Sequence, residues 1–181
     1  LRMHLRIERL RGSVERLAQA ERLQRALYAI ADMASAELDM PDMLRGLHGI
    51  VGSLMYAENL FIVLYNTREQ TLRFIYSVDH LDQHYIDPER EMPASELANS
   101  LTLGMMRAGR SFLGPSDEVR KQLGVTRDES LGPDSVDWLG VPMVRGNEVR
   151  GAVVVQSYDE AQRFSEQDRI LLSYVAQHIL T

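Results

Sequence analysis

Cysteine is absent from the 181 residues, which excludes disulfides, thiolate zinc sites, iron–sulfur clusters and thioether-linked chromophores. Lysine is almost absent: Lys121 is the only one. Long apolar runs are missing too. The longest strongly apolar stretch is Leu60–Leu64, far short of the roughly 18 residues a spanning helix needs. With no initial Met and no signal-peptide layout, the chain is expected to be a piece of a longer cytoplasmic protein without membrane insertion of its own.

What is present suits a folded domain: 45% of residues are hydrophobic, 25% are charged and the net charge is -6. The charge is uneven. Residues 1–25 hold seven Arg and three Glu, net +4, leaving -10 on the remaining 156. An acidic body argues against a nucleic-acid platform, because phosphate binding needs clustered positive surface. The early arginines, interleaved with Glu8, Glu15 and Glu21, read as the solvated face of a coiled coil.

Met3, Ile7, Leu10, Val14 and Leu17 follow a 4-3-4-3 spacing, the seven-residue repeat that draws helices into a left-handed supercoil. The register then slips to Ala20, Leu23, Leu27, Ile30 and Ala34, which reads as a stammer. A parallel dimer stalk over residues 1–24 is expected, with Ile7, Leu10, Val14, Leu17 and Leu23 at its seam. Asp39-Met40-Pro41 opens a second helix over 42–56, in which Gly46, Gly49 and Gly52 suggest close approach of another backbone.

Two hairpins follow from period-two alternation. The first joins Asn59–Asn66 to Leu72–Asp79, with Leu72, Phe74, Tyr76 and Val78 on one side. The second joins Val136–Val144 to Val149–Ser157 through a turn centred on Gly146-Asn147. Between them the pattern predicts a loop over His80–Pro93, a helix over 94–108 capped by Ser95 and stopped by Gly109, a short strand over 111–113 and a short helix over 116–123. Gly124–Asp134 reads as a mobile loop. A last helix starts at Ser165, answered by Asp168, and carries its pattern to Thr181, as expected of a chain continuing into a downstream domain. Antiparallel pairs separated by helices make an α+β protein.

Asn59–Asp79, Leu103–Leu113, Asp137–Tyr158 and Phe164–Ile179 together resemble a GAF domain, in particular the subgroup attached to diguanylate cyclases or sensor histidine kinases. The most specific stretch is Leu139-Gly140-Val141-Pro142 followed by the glycine turn and the strand begun at Gly151. The resemblance spans residues 25–181. It implies a central antiparallel sheet with helices on both faces, as in GAF and PAS domains. The first, second and last helices would share one face, and a ligand pocket would lie beneath the middle helices. It also implies a homodimer through the N-terminal and C-terminal helices. Covalent bilin attachment in that family uses Cys, and the Asn-Lys-Phe…Asp-Glu signature of cyclic-nucleotide binders is missing here.

Candidate binding residues are polar or amphipathic groups on strands that should be buried: Tyr76, Asp79, Trp138, Gln156 and Tyr158. A buried amide or phenol must find a hydrogen-bond partner, and a ligand is one candidate beside neighbouring loops. Asp79, His80, Asp82 and His84 form the only metal-like cluster, read first as a solvated loop. His48 and His178 read as packed or surface residues. No local catalytic motif occurs, and no cofactor is expected. The sequence therefore points to a non-catalytic sensory domain with an unknown small-molecule ligand, or to a ligand-free dimerisation and relay module.

Overall fold

The computed structural model describes residues 1–81 and 85–180; Asp82, His84 and Thr181 lie outside the described residues. Among the described residues five α-helices flank six strands. The helices are α1 (Arg2–Ser35), α2 (Met40–Gly52), α3 (Leu101–Ala108), α4 (Ser116–Leu123) and α5 (Glu166–Ile179). The strands are β1 (Asn59–Asn66), β2 (Thr71–Val78), β3 (Met92–Pro93), β4 (Phe112–Gly114), β5 (Asp137–Arg145) and β6 (Glu148–Ser157). All pairings are antiparallel, in the order β3-β2-β1-β6-β5-β4.

Period-two alternation divides the core between the two faces. Val153 and Val155 of β6 join Leu139, Val141 and Met143 of β5 beneath α1, α2 and α5. Ala152 and Val154 join Val63, Tyr65 and Trp138 beneath α3 and α4. The expected central sheet with helices on both faces is what forms. Gly146 takes the left-handed conformation at φ 65°, so two residues suffice to turn β5 into β6. Ser165 and Asp168 cap each other at the start of α5, with the Ser165 N–H donating to the Asp168 carboxylate at 2.8 Å.

Three local expectations need correction. The segment 94–108 is not one helix. A 3₁₀ turn covers Ala94–Leu97, and α3 starts afresh after Ser100, whose hydroxyl accepts from the Leu103 N–H at 3.0 Å. Ser95 and Ser100 both offer a cap, and the local side-chain bond at Ser100 wins. Among the described residues no second backbone approaches the glycines of α2. A Cβ on Gly46 would meet the Met33 side chain at 2.7 Å, while Gly49 and Gly52 face nothing within 4 Å.

The third concerns β2. Ile62 pairs with Tyr76 and Val63 with Phe74, so Ile75 is an extra residue, a β-bulge. Phe74 faces α3 and α4, but beyond the bulge Tyr76 turns to the α2 face. Leu72, Phe74 and Tyr76 do not share one side.

Helix α1 runs unbroken through its register slip. At 3.6 residues per turn, the stripe Ile7, Leu10, Val14, Leu17 and the stripe Leu23, Ala26, Leu27, Ile30 lie on roughly opposite faces. The second packs on the domain, with Ile30 fully buried. The first stays open to solvent, Leu10 being 65% and Leu17 70% exposed. The slip is thus the place where α1 changes the face it offers. Leu23 packs against its own domain's core and does not belong with the open seam.

Candidate functional site

A cavity of about 720 Å³ opens on the α3 and α4 face of the sheet. Phe61 of β1, Phe74 of β2, Trp138 of β5 and Gln156 of β6 contribute to its sheet side. Asp79 and Tyr158 follow the ends of β2 and β6. The start of α3, Arg120 of α4 and the loop Asp128–Asp134 also line it.

Each part is held by identifiable bonds. The Tyr158 hydroxyl donates to Asp79 Oδ2 at 2.9 Å, and the Leu81 N–H donates to Asp79 Oδ1 at 2.9 Å. Asn59, only 1% exposed, donates to the Gln156 carbonyl at 3.1 Å and accepts from the His80 N–H at 2.9 Å. The His80 ring nitrogen Nδ1 lies 2.7 Å from the same Asn59 oxygen, and the ring meets Tyr158 edge-on at 5.8 Å between centroids. On the far wall, Ser116 and Ser135 hydroxyls lie 2.7 Å apart, and the Ser135 N–H donates to Ser116 Oγ at 2.9 Å. Arg120 grips Asp134 at 2.5 and 3.5 Å, and Asp128 accepts from the Ser130 N–H and hydroxyl at 3.0 and 2.6 Å. The cavity loop is therefore tied to α4 at its Asp134 end and folded on itself at Asp128.

Gly140 makes room for Trp138. A Cβ there would fall 2.3 Å from the tip of the indole ring, so only glycine lets the ring lie along the strand at 2% exposure.

Asp79, Trp138, Gln156 and Tyr158 line the cavity; Tyr76 does not. The bulge at Ile75 sends Tyr76 through to the other face, and Ser77 takes the place it would have had. There Tyr76 serves packing. The Ala57 carbonyl can only accept, so His48 donates from Nε2 at 2.5 Å, and His48 Nδ1 accepts from the Tyr76 hydroxyl at 2.5 Å. Burial pushes the Tyr76 phenol above its ordinary pKa, only partly offset by the Arg45 cation. Below the ordinary tyrosine value of about 10 this contribution to stability is complete, and it is lost as pH rises through the raised folded value. Tyr76→Phe is expected to cost about 1 kcal/mol in urea unfolding, to flatten the alkaline arm of the stability curve, and to leave any ligand response of the cavity unchanged.

Sequence reading missed Phe61, Phe74, Ser77, Thr102 and Arg120 as lining residues. The strand aromatics carried a signal through alternation, but Ser77 was readable only with the bulge known. Among the described residues no group of three or more His, Asp or Glu is placed to hold a metal, and the His80 ring is engaged by Asn59. No described helix is long and apolar enough to cross a membrane.

A six-stranded antiparallel sheet with a cavity under its middle helices defines a class of small α+β domains. Residues 37–180 match the GAF domain family, and the chain belongs to it. Similar solved structures include the GAF domain of an Acinetobacter phosphoenolpyruvate-protein phosphotransferase, at 18% identity, TM-score 0.64 and 90% coverage of both chains. The corresponding domain from Coxiella burnetii has 14% identity and TM-score 0.66, covering 88% of this chain and 91% of that one. Free methionine-R-sulfoxide reductase from Neisseria meningitidis, solved with its substrate, has 16% identity and TM-score 0.59 over 87% and 85%. Identities this low speak for the fold alone. No curated protein matches the chain.

Proposed function

We propose that residues 25–181 form a non-catalytic sensory domain of a bacterial signalling protein, binding a small molecule in the cavity, and that residues 1–24 form a stalk joining two copies. The observation that carries the reading is the cavity itself, with an aromatic floor and a polar rim, on the face of the sheet opposite the long helices. A ligand shifts an equilibrium only through a differential preference for one arrangement. The chain offers a short physical route for such a preference. Trp138 and Tyr158 line the cavity, and next to them Asp137, 4% exposed, accepts from the Phe164 N–H at 2.8 Å. Phe164 immediately precedes the α5 cap, and Gln167 of α5 accepts from Gln19 of α1 at 3.1 Å.

The non-catalytic reading draws support from a chain without cysteine and a described cavity lining without imidazole, although a reductase shares the fold. The homodimer would form through the open stripe of α1 together with α5. That stripe also favours a second reading, a dimerisation and relay module without ligand, since it needs a partner whether or not the cavity is filled. A diguanylate cyclase or histidine kinase output draws no support from the similar structures named above and rests on the sequence resemblance.

Thermal unfolding against fractionated small-molecule extracts of bacterial cells separates the readings. A bound fraction at 100 times its Kd adds about 2.7 kcal/mol of stability, a shift of several degrees. The sensory reading predicts such a fraction; no shift with any fraction leaves the relay module.

A further inference from the structure

We infer, resting on the sensory reading above, that the cavity takes an organic cation: a small amine or ammonium compound with an apolar or aromatic body. The first argument is the sign of the wall. Asp79, Asp128, Glu129 and Asp134 all line the cavity, whose described lining holds one cation, Arg120, while Arg127 reaches Asp134 at 3.8 Å from outside it. The Arg120 guanidinium is already held by Asp134 at 2.5 and 3.5 Å. A carboxylate or phosphate entering would meet like charge in a partly dehydrated space, where the Coulomb penalty exceeds its value in water.

The second argument is the floor. Phe61, Phe74 and Trp138 present aromatic rings on the same cavity, and a ring face attracts a cation, most strongly when water is excluded. Carboxylates and aromatic rings together favour a positively charged guest.

A third observation points to a ligand independently of charge. Thr102 and Trp138 are 7% and 2% exposed and line the cavity, yet neither the Thr102 hydroxyl nor the Trp138 indole N–H bonds to a described residue. Both atoms keep some accessible area on residues that line the cavity. Polar groups so buried normally find a partner, so the guest should also carry a hydrogen-bond acceptor. Anions have a better address elsewhere. Arg68, Arg73, Arg145 and Arg150 line a separate groove of about 670 Å³ at the hairpin turns, accompanied by only Glu91 and Glu148.

Trp138 is the only tryptophan, so its fluorescence reports on this cavity and not on the arginine groove. The 181-residue chain would be titrated with 2-phenylethylamine, 2-phenylethanol and phenylacetate, which share a body and differ in charge. The amine should perturb Trp138 at a concentration about tenfold lower than phenylacetate, with the alcohol between. The preference should fall at least severalfold in the double variant Asp79→Asn, Glu129→Gln. A single Glu129→Gln variant, on an exposed side chain, keeps the test valid if the double variant fails to fold.

Phenylacetate acting as strongly as the amine overturns the cation assignment while leaving the cavity a binding site. Silence of Trp138 to all three up to millimolar concentration also overturns it. The sensory reading falls with it only if extracts are silent in the thermal assay as well.

Discussion

Gly151→Ala is expected to lower the unfolding free energy by about 3 kcal/mol, the upper end of the usual overpacking range. Gly151 lies inside the sheet, paired with Leu64 of β1 and Met143 of β5. A Cβ there would sit 2.2 Å from the Val63 carbonyl oxygen, 2.5 Å from Met143 Cε and 3.2 Å from Leu64 Cα. The methionine tip can swing away. The two backbone atoms cannot, short of parting β1 from β6. For a domain with about 5–15 kcal/mol of total stability, that loss is large. The control is Gly49→Ala in α2, where nothing lies within 4 Å and the helix should gain up to about 1 kcal/mol. Urea midpoints at constant slope read both. An unchanged midpoint for Gly151→Ala would mean that the two strands are farther apart than described.

The second large effect separates the two stripes of α1. Ile30→Ala removes a fully buried side chain from the core shared by α2, α5 and the sheet, and should cost about 3 kcal/mol. Leu10→Ala, on the opposite face, should leave the stability of the isolated protomer within about 0.5 kcal/mol. In the dimer proposed above, whose seam is the open stripe of α1, it should instead weaken self-association. Analytical ultracentrifugation beside urea unfolding distinguishes the outcomes. Equal destabilisation of the protomer by both substitutions would show that the first stripe also folds onto its own domain.

Much of the fold could be read from local chemistry because the deciding interactions lie close in sequence. The Gly146 turn, the Ser165 and Asp168 cap and the left-handed stop at Gly109 are each set within a few residues. The alternation of β5 and β6 likewise reports which side chains are buried. The bulge at Ile75 depends on the register of β2 against β1, and nothing in the run of residues 71–78 marks the slip. Tyr76 was misplaced for that reason alone. The spacing of α1 was legible, but which stripe meets the domain depends on α2 and α5. The cavity loop Asp128–Asp134 is fixed by Arg120 and by the Ser116–Ser135 pair, contacts made across 14 and 19 residues that no local pattern announces.

The central claim is that the cavity holds a small molecule. Native mass spectrometry of the domain released gently from bacterial cells tests it most directly, with Ser77→Phe as the comparison, since a ring at Ser77 would occupy the cavity beside Phe61 and Phe74. The account predicts a single low-mass adduct on the unaltered chain and none on the Ser77→Phe chain at equal folding. Both proteins bare, or both carrying the same adduct, would contradict it.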